Sequence, residues 1–230
     1  MRKLKVTELN RLTPEAFKNS EKIPLIVVLD HVRSLNNVGS VFRTSDAFRV
    51  ESIYLCGITA CPPHAEIHKT ALGAEDSVDW KYFKDTLEAV DNLKQQGYTV
   101  CAIEQAEGST MLDKLVLDKT KKYAIVMGNE VKGVQQSVVD NCDLCIEIPQ
   151  YGTKHSLNVS VTTGIVIWEF LISWAYKPVY NAPLSTRTTI RSVKASLPIG
   201  SYSVFRLAPN IPAKRFQKPA RKLPKKAFTR

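Results

Sequence analysis

The chain has 230 residues, 44% of them hydrophobic, enough for one α/β domain of about 150–200 residues with a full core. Its net charge of +10 is unevenly placed: residues 177–230 hold thirteen of the 32 Lys and Arg and none of the 22 Asp and Glu, so 1–176 is slightly acidic. The start, MRKLKVTELNRL, is charged without an apolar centre, and the longest apolar run, Ile165–Trp174, is interrupted by Glu169 and too short for a bilayer. A secretory signal and a membrane span are therefore not expected. Cys56, Cys61, Cys101, Cys142 and Cys145 lie mostly among apolar residues, the pattern of reduced packing thiols in a cytoplasmic protein.

Residues 1–22 read as a helical lead-in, with Thr13-Pro14-Glu15 a cap followed by proline at the first helical position. The run PLIVVLD, 24–30, predicts a strand buried on both faces. Val38, Val41, Phe42, Ser45 and Phe48 then recur at helical spacing over 36–48. Further strands are expected at 51–57, 77–83, 98–104, 123–128 and 144–149, and helices at 65–72, 86–96 and 134–141. The alternation predicts an α/β fold, a mostly parallel sheet with helices on both faces. From Ser156 to Tyr176 the chain is apolar on nearly every side, which predicts a helix buried against its own sheet and a second subunit. The domain organisation is thus an extension at 1–22, a body at 23–176 and a basic tail at 177–230 holding seven of the twelve prolines.

Three polar clusters fall at strand ends, where open α/β sheets place ligands. The first, Asn36 to Arg43, offers Asn37 and a guanidinium able to grip a phosphate. The second, Gly128 to Gly133, combines a glycine that permits close backbone approach with Glu130, expected at the start of the next helix. The third runs from Ile148 to Asn158 and puts Ser156 and Asn158 at the head of the last helix. Neither a phosphate-binding P-loop nor a dinucleotide fingerprint is present. His64 and His68 flank Glu66 in an H-A-E-I-H run that lacks a metalloprotease order and a third ligand, and the cysteine pairs read as packing; no metal is expected. Trp168 and Trp174 read as core or subunit contacts.

In order and spacing, NNVGSVFRTSDAF, YAIVMGNEVKG and IPQYGTKHSLNVSVTTGI resemble the three signature motifs of the SpoU (TrmH-like) RNA 2′-O-methyltransferases of the SPOUT class. The resemblance covers residues 24–175 and departs at Gln150, where the family most often has methionine. It implies a C-terminal deep trefoil knot, a homodimer through the knotted region, and S-adenosyl-L-methionine as methyl donor. Carried over position by position, it makes Gly128, Ile148, Leu157 and Glu104 the cofactor contacts, and Asn37, Arg43, Glu130, Ser156 and Asn158 the catalytic polar set. The implied reaction is methyl transfer to a ribose 2′-hydroxyl of RNA, with Arg43 also touching RNA. Neutralising an arginine at pH 7 costs roughly 7 kcal/mol, so a cationic Arg43 that steadies phosphate and incipient alkoxide is favoured over a base.

The few residues before the first strand leave no room for an N-terminal RNA-binding module, which favours tRNA over rRNA as the substrate. The alternatives are an rRNA 2′-O-methyltransferase and a catalytically silent RNA-binding protein of the same fold. Lys214, Arg215, Lys218, Arg221, Lys222, Lys225 and Lys226 in the tail are the expected polyanion contacts. Deleting 177–230 is expected to weaken RNA binding and flatten its salt dependence while leaving cofactor affinity intact, as measured by filter binding across a salt series.

Overall fold

The computed structural model describes residues 1–175. The sheet has seven strands in the order β3-β2-β1-β6-β4-β7-β5, and every pairing between them is parallel. The strands are β1 (Ile23–Asp30), β2 (Val50–Cys56), β3 (Trp80–Phe83), β4 (Tyr98–Ile103), β5 (Thr110–Met111), β6 (Lys122–Met127) and β7 (Leu144–Glu147). The helices are α1 (Pro14–Lys18), α2 (Leu35–Ala47), α3 (Ala65–Ala71), α4 (Ala74–Ser77), α5 (Thr86–Gln95), α6 (Gln136–Asp140) and α7 (Val159–Ala175).

Strand alternation explains the two cores. On β1, Leu25, Val27 and Leu29 join one cluster with Val41 and Phe42 of α2, Ile67 of α3 and Ile167 of α7. Ile26 and Val28 face the other way, against Val90 and Leu93 of α5 and Val138 of α6. A strand between two helix layers must be apolar on both sides, which is the composition of the 24–30 run. Pro24 lacks an N–H, and the register of β1 against β2 shifts between Ile23 and Ile26.

Several expected elements change shape. The lead-in is not one helix but a 3-10 turn at Val6–Glu8 and the short α1, where Thr13 accepts from the Ala16 amide. The start of the expected 77–83 strand is taken by α4, leaving β3 at the last four residues. The small-residue loop after β4 leads into β5, a two-residue strand with no periodicity to reveal it. The last helix starts at Val159 rather than Ser156, because Asn158 accepts from the Ser160 and Val161 amides and so ends the loop. Nor is that helix covered all round among the described residues: Val166, Ile167 and Phe170 are buried, but Val161, Ile165 and Trp168 are exposed along one side.

Two tight points hold the frame. Asp30, fully buried at the end of β1, accepts from Thr86 Oγ1 (2.6 Å), Gln135 N (3.0 Å) and Gln135 Nε2 (2.9 Å), so its oxygens are satisfied while it joins α5 and the segment before α6 to β1. Gly39 lets α2 lie against α3: a Cβ there would stand 2.2 Å from Thr70 Oγ1 and 2.3 Å from the Ile67 carbonyl. Gly39→Ala is therefore expected to lower unfolding free energy by about 1–3 kcal/mol, read as a lower urea midpoint at unchanged slope.

Candidate active site

The C-terminal ends of β4, β6 and β7 open into one cleft of about 440 Å³. Ile103, Met127, Ile146 and Ile148 form its apolar floor, and Gly128–Val134 and His155–Leu157 contribute to its walls. This volume lies within the usual range for a small-molecule site. Gly128 is needed because the turn folds back over it: a Cβ would be 2.1 Å from the Gly133 carbonyl carbon and 2.2 Å from the Val134 amide nitrogen. Asn129 and Gly133 exchange backbone hydrogen bonds of 3.0 and 2.9 Å, closing the turn. Glu130 therefore projects from a closed turn and does not begin a helix; α6 starts six residues later, at Gln136.

The Glu130 carboxylate is a hub. Its two oxygens accept from the amides of Arg33 (3.0 Å) and Ser34 (2.9 Å) and from Asn37 Nδ2 (3.0 Å). Partial burial pushes the carboxyl pKa up, but the Arg33 and Ser34 amides, with Asn37, outweigh that and hold it below the ordinary value. Asn37 Oδ1 in turn accepts from Asn158 Nδ2 at 3.1 Å, and Asn158 Oδ1 caps α7. Three segments far apart in sequence are thus tied by one relay. Asn129 adds a further link, donating from Nδ2 to the His31 carbonyl at 2.7 Å.

The expected site residues divide into two groups. Glu104, Gly128, Glu130, Ile148, Ser156 and Leu157 all line the cleft. Asn37 and Asn158 are outside the lining and joined to it through Glu130, and Arg43 lies exposed on α2, also outside the lining, its side chain with no hydrogen bond or ion pair among the described residues. Lys214, Arg215, Lys218, Arg221, Lys222, Lys225 and Lys226 fall outside the described residues. Glu104 is more than a wall: its carboxylate accepts from the Val134 amide (2.9 Å) and from Gln105 N (2.9 Å). Gln105, Gln150 and His155 also line the cleft; they lie in the 104–108 and 148–157 stretches that the family resemblance implies as its walls, though none is named there as an individual cofactor contact.

His64 caps α3 by accepting from the Glu66 amide, and His68 meets Glu75 at 2.6 Å. Among the described residues no group of three or more His, Cys, Asp or Glu is placed to hold a metal ion. Burial pushes the Cys56 and Cys142 thiols up to about 12, which suits packing residues rather than nucleophiles.

Residues 24–168 match the model of the SpoU rRNA Methylase family. The chain belongs to that family. Among SpoU relatives, the 23S rRNA (guanosine-2′-O-)-methyltransferase of Nitrosomonas europaea is 34% identical over 71% of this chain and 63% of its own length. The tRNA (guanosine(18)-2′-O)-methyltransferase of Aquifex aeolicus is 31% identical over 74% of this chain and 79% of its own. A crystal structure of an A. aeolicus TrmH/SpoU tRNA modifying enzyme superposes with a TM-score of 0.61 at 29% identity, covering 70% of this chain and 79% of that one. An AdoMet-bound rRNA methyltransferase from Sinorhizobium meliloti gives 0.60 at 27%, covering 68% and 58%. The chain spans a little over 60% of the length of the first curated SpoU relatives it matches.

Because the folded Glu130 carboxyl is depressed, its stabilising effect is present above the unfolded carboxylate pKa and is lost as pH falls through the folded one. A melting-temperature series from pH 7 to pH 3 should show this loss, and Glu130→Gln should be less stable at pH 7 and flatter on the acid side.

Proposed function

We propose that the chain is an S-adenosyl-L-methionine-dependent RNA ribose 2′-O-methyltransferase that acts in the cytoplasm as a homodimer, with tRNA preferred to rRNA. The observation that carries the reading is the cleft itself: the second and third motifs line it, and the Glu130–Asn37–Asn158 relay joins them to the first. Family membership and similarity to 2′-O-methyltransferases of both RNA classes support the reaction.

The cleft residues fit the methyl donor. An apolar floor from Ile103, Met127, Ile146 and Ile148 suits an adenine face, and the glycine at Gly128 lets the Gly133–Val134 backbone fold close over the strand end to form the wall beside it. Gly128, Ile148 and Leu157 would hold it chiefly through backbone groups, with Glu104 as a wall. Its carboxylate is already taken by two amides, so it shapes the cleft. When bound, S-adenosyl-L-methionine supplies an electrophilic methyl group on a sulfonium.

The protein's own contribution is positional and electrostatic. Glu130 remains ionised and orders the backbone at Arg33–Ser34, while Asn37 and Asn158 keep α2 and α7 in register. Ser156 lines the cleft mouth, where its hydroxyl can orient the acceptor ribose. Arg43, exposed and outside the cleft of its own chain, is assigned to the active site of a second copy, gripping an RNA phosphate and stabilising charge on the 2′-oxygen. The exposed Val161, Ile165 and Trp168 on α7 support pairing of two copies along that helix. The trefoil knot and RNA contacts from Lys214 to Lys226 belong to the same proposal, supported by the family and by the charge of the tail.

Labelled methyl incorporation into bulk tRNA and rRNA tests the reading, with 2′-O-methyl mapping to locate the product. No incorporation into either RNA, with cofactor bound, would favour a silent RNA-binding protein. Arg43→Lys should lower transfer by roughly 100-fold or more while leaving RNA affinity within about twofold, as a bidentate role requires.

A further inference from the structure

The wall of the cleft formed by residues 149–157 has little holding it. Tyr151 to Leu157 are all exposed, and the hydrogen bond from Gln105 Nε2 to the His155 carbonyl, at 2.7 Å, is the one the loop makes among the described residues. Its donor is well anchored. Gln105 directly follows Glu104, whose amide donates to the Ile146 carbonyl and whose carboxylate accepts from Gln105 N and Val134 N. Gly133, at φ +68°, leaves room for that carboxylate: a Cβ there would be 2.1 Å from Glu104 Oε2. The strand ends, the Gly128–Val134 turn and the outer loop therefore meet at two adjacent residues.

We propose that Gln105 is a positioning residue that tethers the 149–157 loop over the cofactor cleft. Glu104 fixes the base of the tether to the turn, and the Gln105 amide fixes its far end to His155, next to Ser156 and Leu157 in the wall. Without the donor the loop has more conformations to lose when a ligand binds, so affinity for the adenosyl ligand falls. The tether itself is independent of the proposed activity; its link to affinity rests on that reading.

The test uses the full chain and two measurements. Calorimetric titration with S-adenosylhomocysteine compares the wild type with Gln105→Ala, Gln105→Glu and Gln105→Lys. The Ala and Glu variants, which lack the donor, should bind roughly threefold to tenfold more weakly, with ligand-free melting temperatures unchanged. The Lys variant, which restores an N–H donor of similar reach, should recover most of the affinity. The second measurement is tryptic cleavage after the exposed Lys154, followed by mass spectrometry without ligand. It should be faster in Ala and Glu than in the wild type and Lys variant. Equal cleavage rates in all four proteins would overturn the tether, and equal ligand affinity would overturn its role in binding. A wild type that binds no S-adenosylhomocysteine would instead sink the cofactor reading, and the cleavage rates would then decide the tether alone.

Discussion

The cleft depends on one carboxylate that gathers three donors. Glu130 accepts from two consecutive backbone amides in the segment joining β1 to α2 and from Asn37 in the first turn of α2. The acceptor lies on a turn about 95 residues further along the chain, as the separation of 96 to Ser34 shows. Neither segment has a regular ladder at this point to set its path. Charge-assisted hydrogen bonds do so instead, and a charged acceptor for paired amides is stronger than a neutral one. Asn37 passes the constraint on to Asn158, and Asn158 sets where α7 begins.

Below this relay, a second carboxylate does comparable work out of solvent. Asp30 is fully buried, yet each of its contacts is a donor, so the cost of burying charge is offset. Its position at the end of β1 fixes Gln135, which follows the cleft turn, to that strand end. The turn is thus held at Asn129 by the His31 carbonyl, at Glu130 by the Arg33 and Ser34 amides, and at Val134 by Glu104. A site wall fixed at several points can present backbone groups to a ligand without rearranging.

Much of the architecture was legible because burial dictates composition. The run from Pro24 to Asp30 had to be a two-faced strand, and Gly128 marked a strand end with a close approach. The motif pattern located most of the cleft. What was hidden is the pairing of polar groups across long separations. Ser156 and Asn158 are both good capping residues, and only the folded positions of the Ser160 and Val161 amides show that Asn158 is the one used. Glu130 was expected at a helix start, but the reciprocal Asn129–Gly133 bonds make a turn there that no periodicity announces. The apolar circumference of α7 could not be divided between own-chain core and exposed side until neighbours were in place. Gln105 and the His155 carbonyl, 50 residues apart, carry no local signature at all.

The sheet order also sets how the chain must be assembled. β1 pairs on one side with β2, available within a few tens of residues, but on its other side with β6, where Leu25 meets Tyr123 and Leu29 meets Met127. During synthesis at ~5–20 residues per second, the most apolar strand waits on the order of ten seconds for that neighbour. For that interval an edge of unpaired backbone and two apolar faces are open to wrong partners. The stretch that organises the finished fold is thus also one whose second edge stays unpaired until β6 has been made.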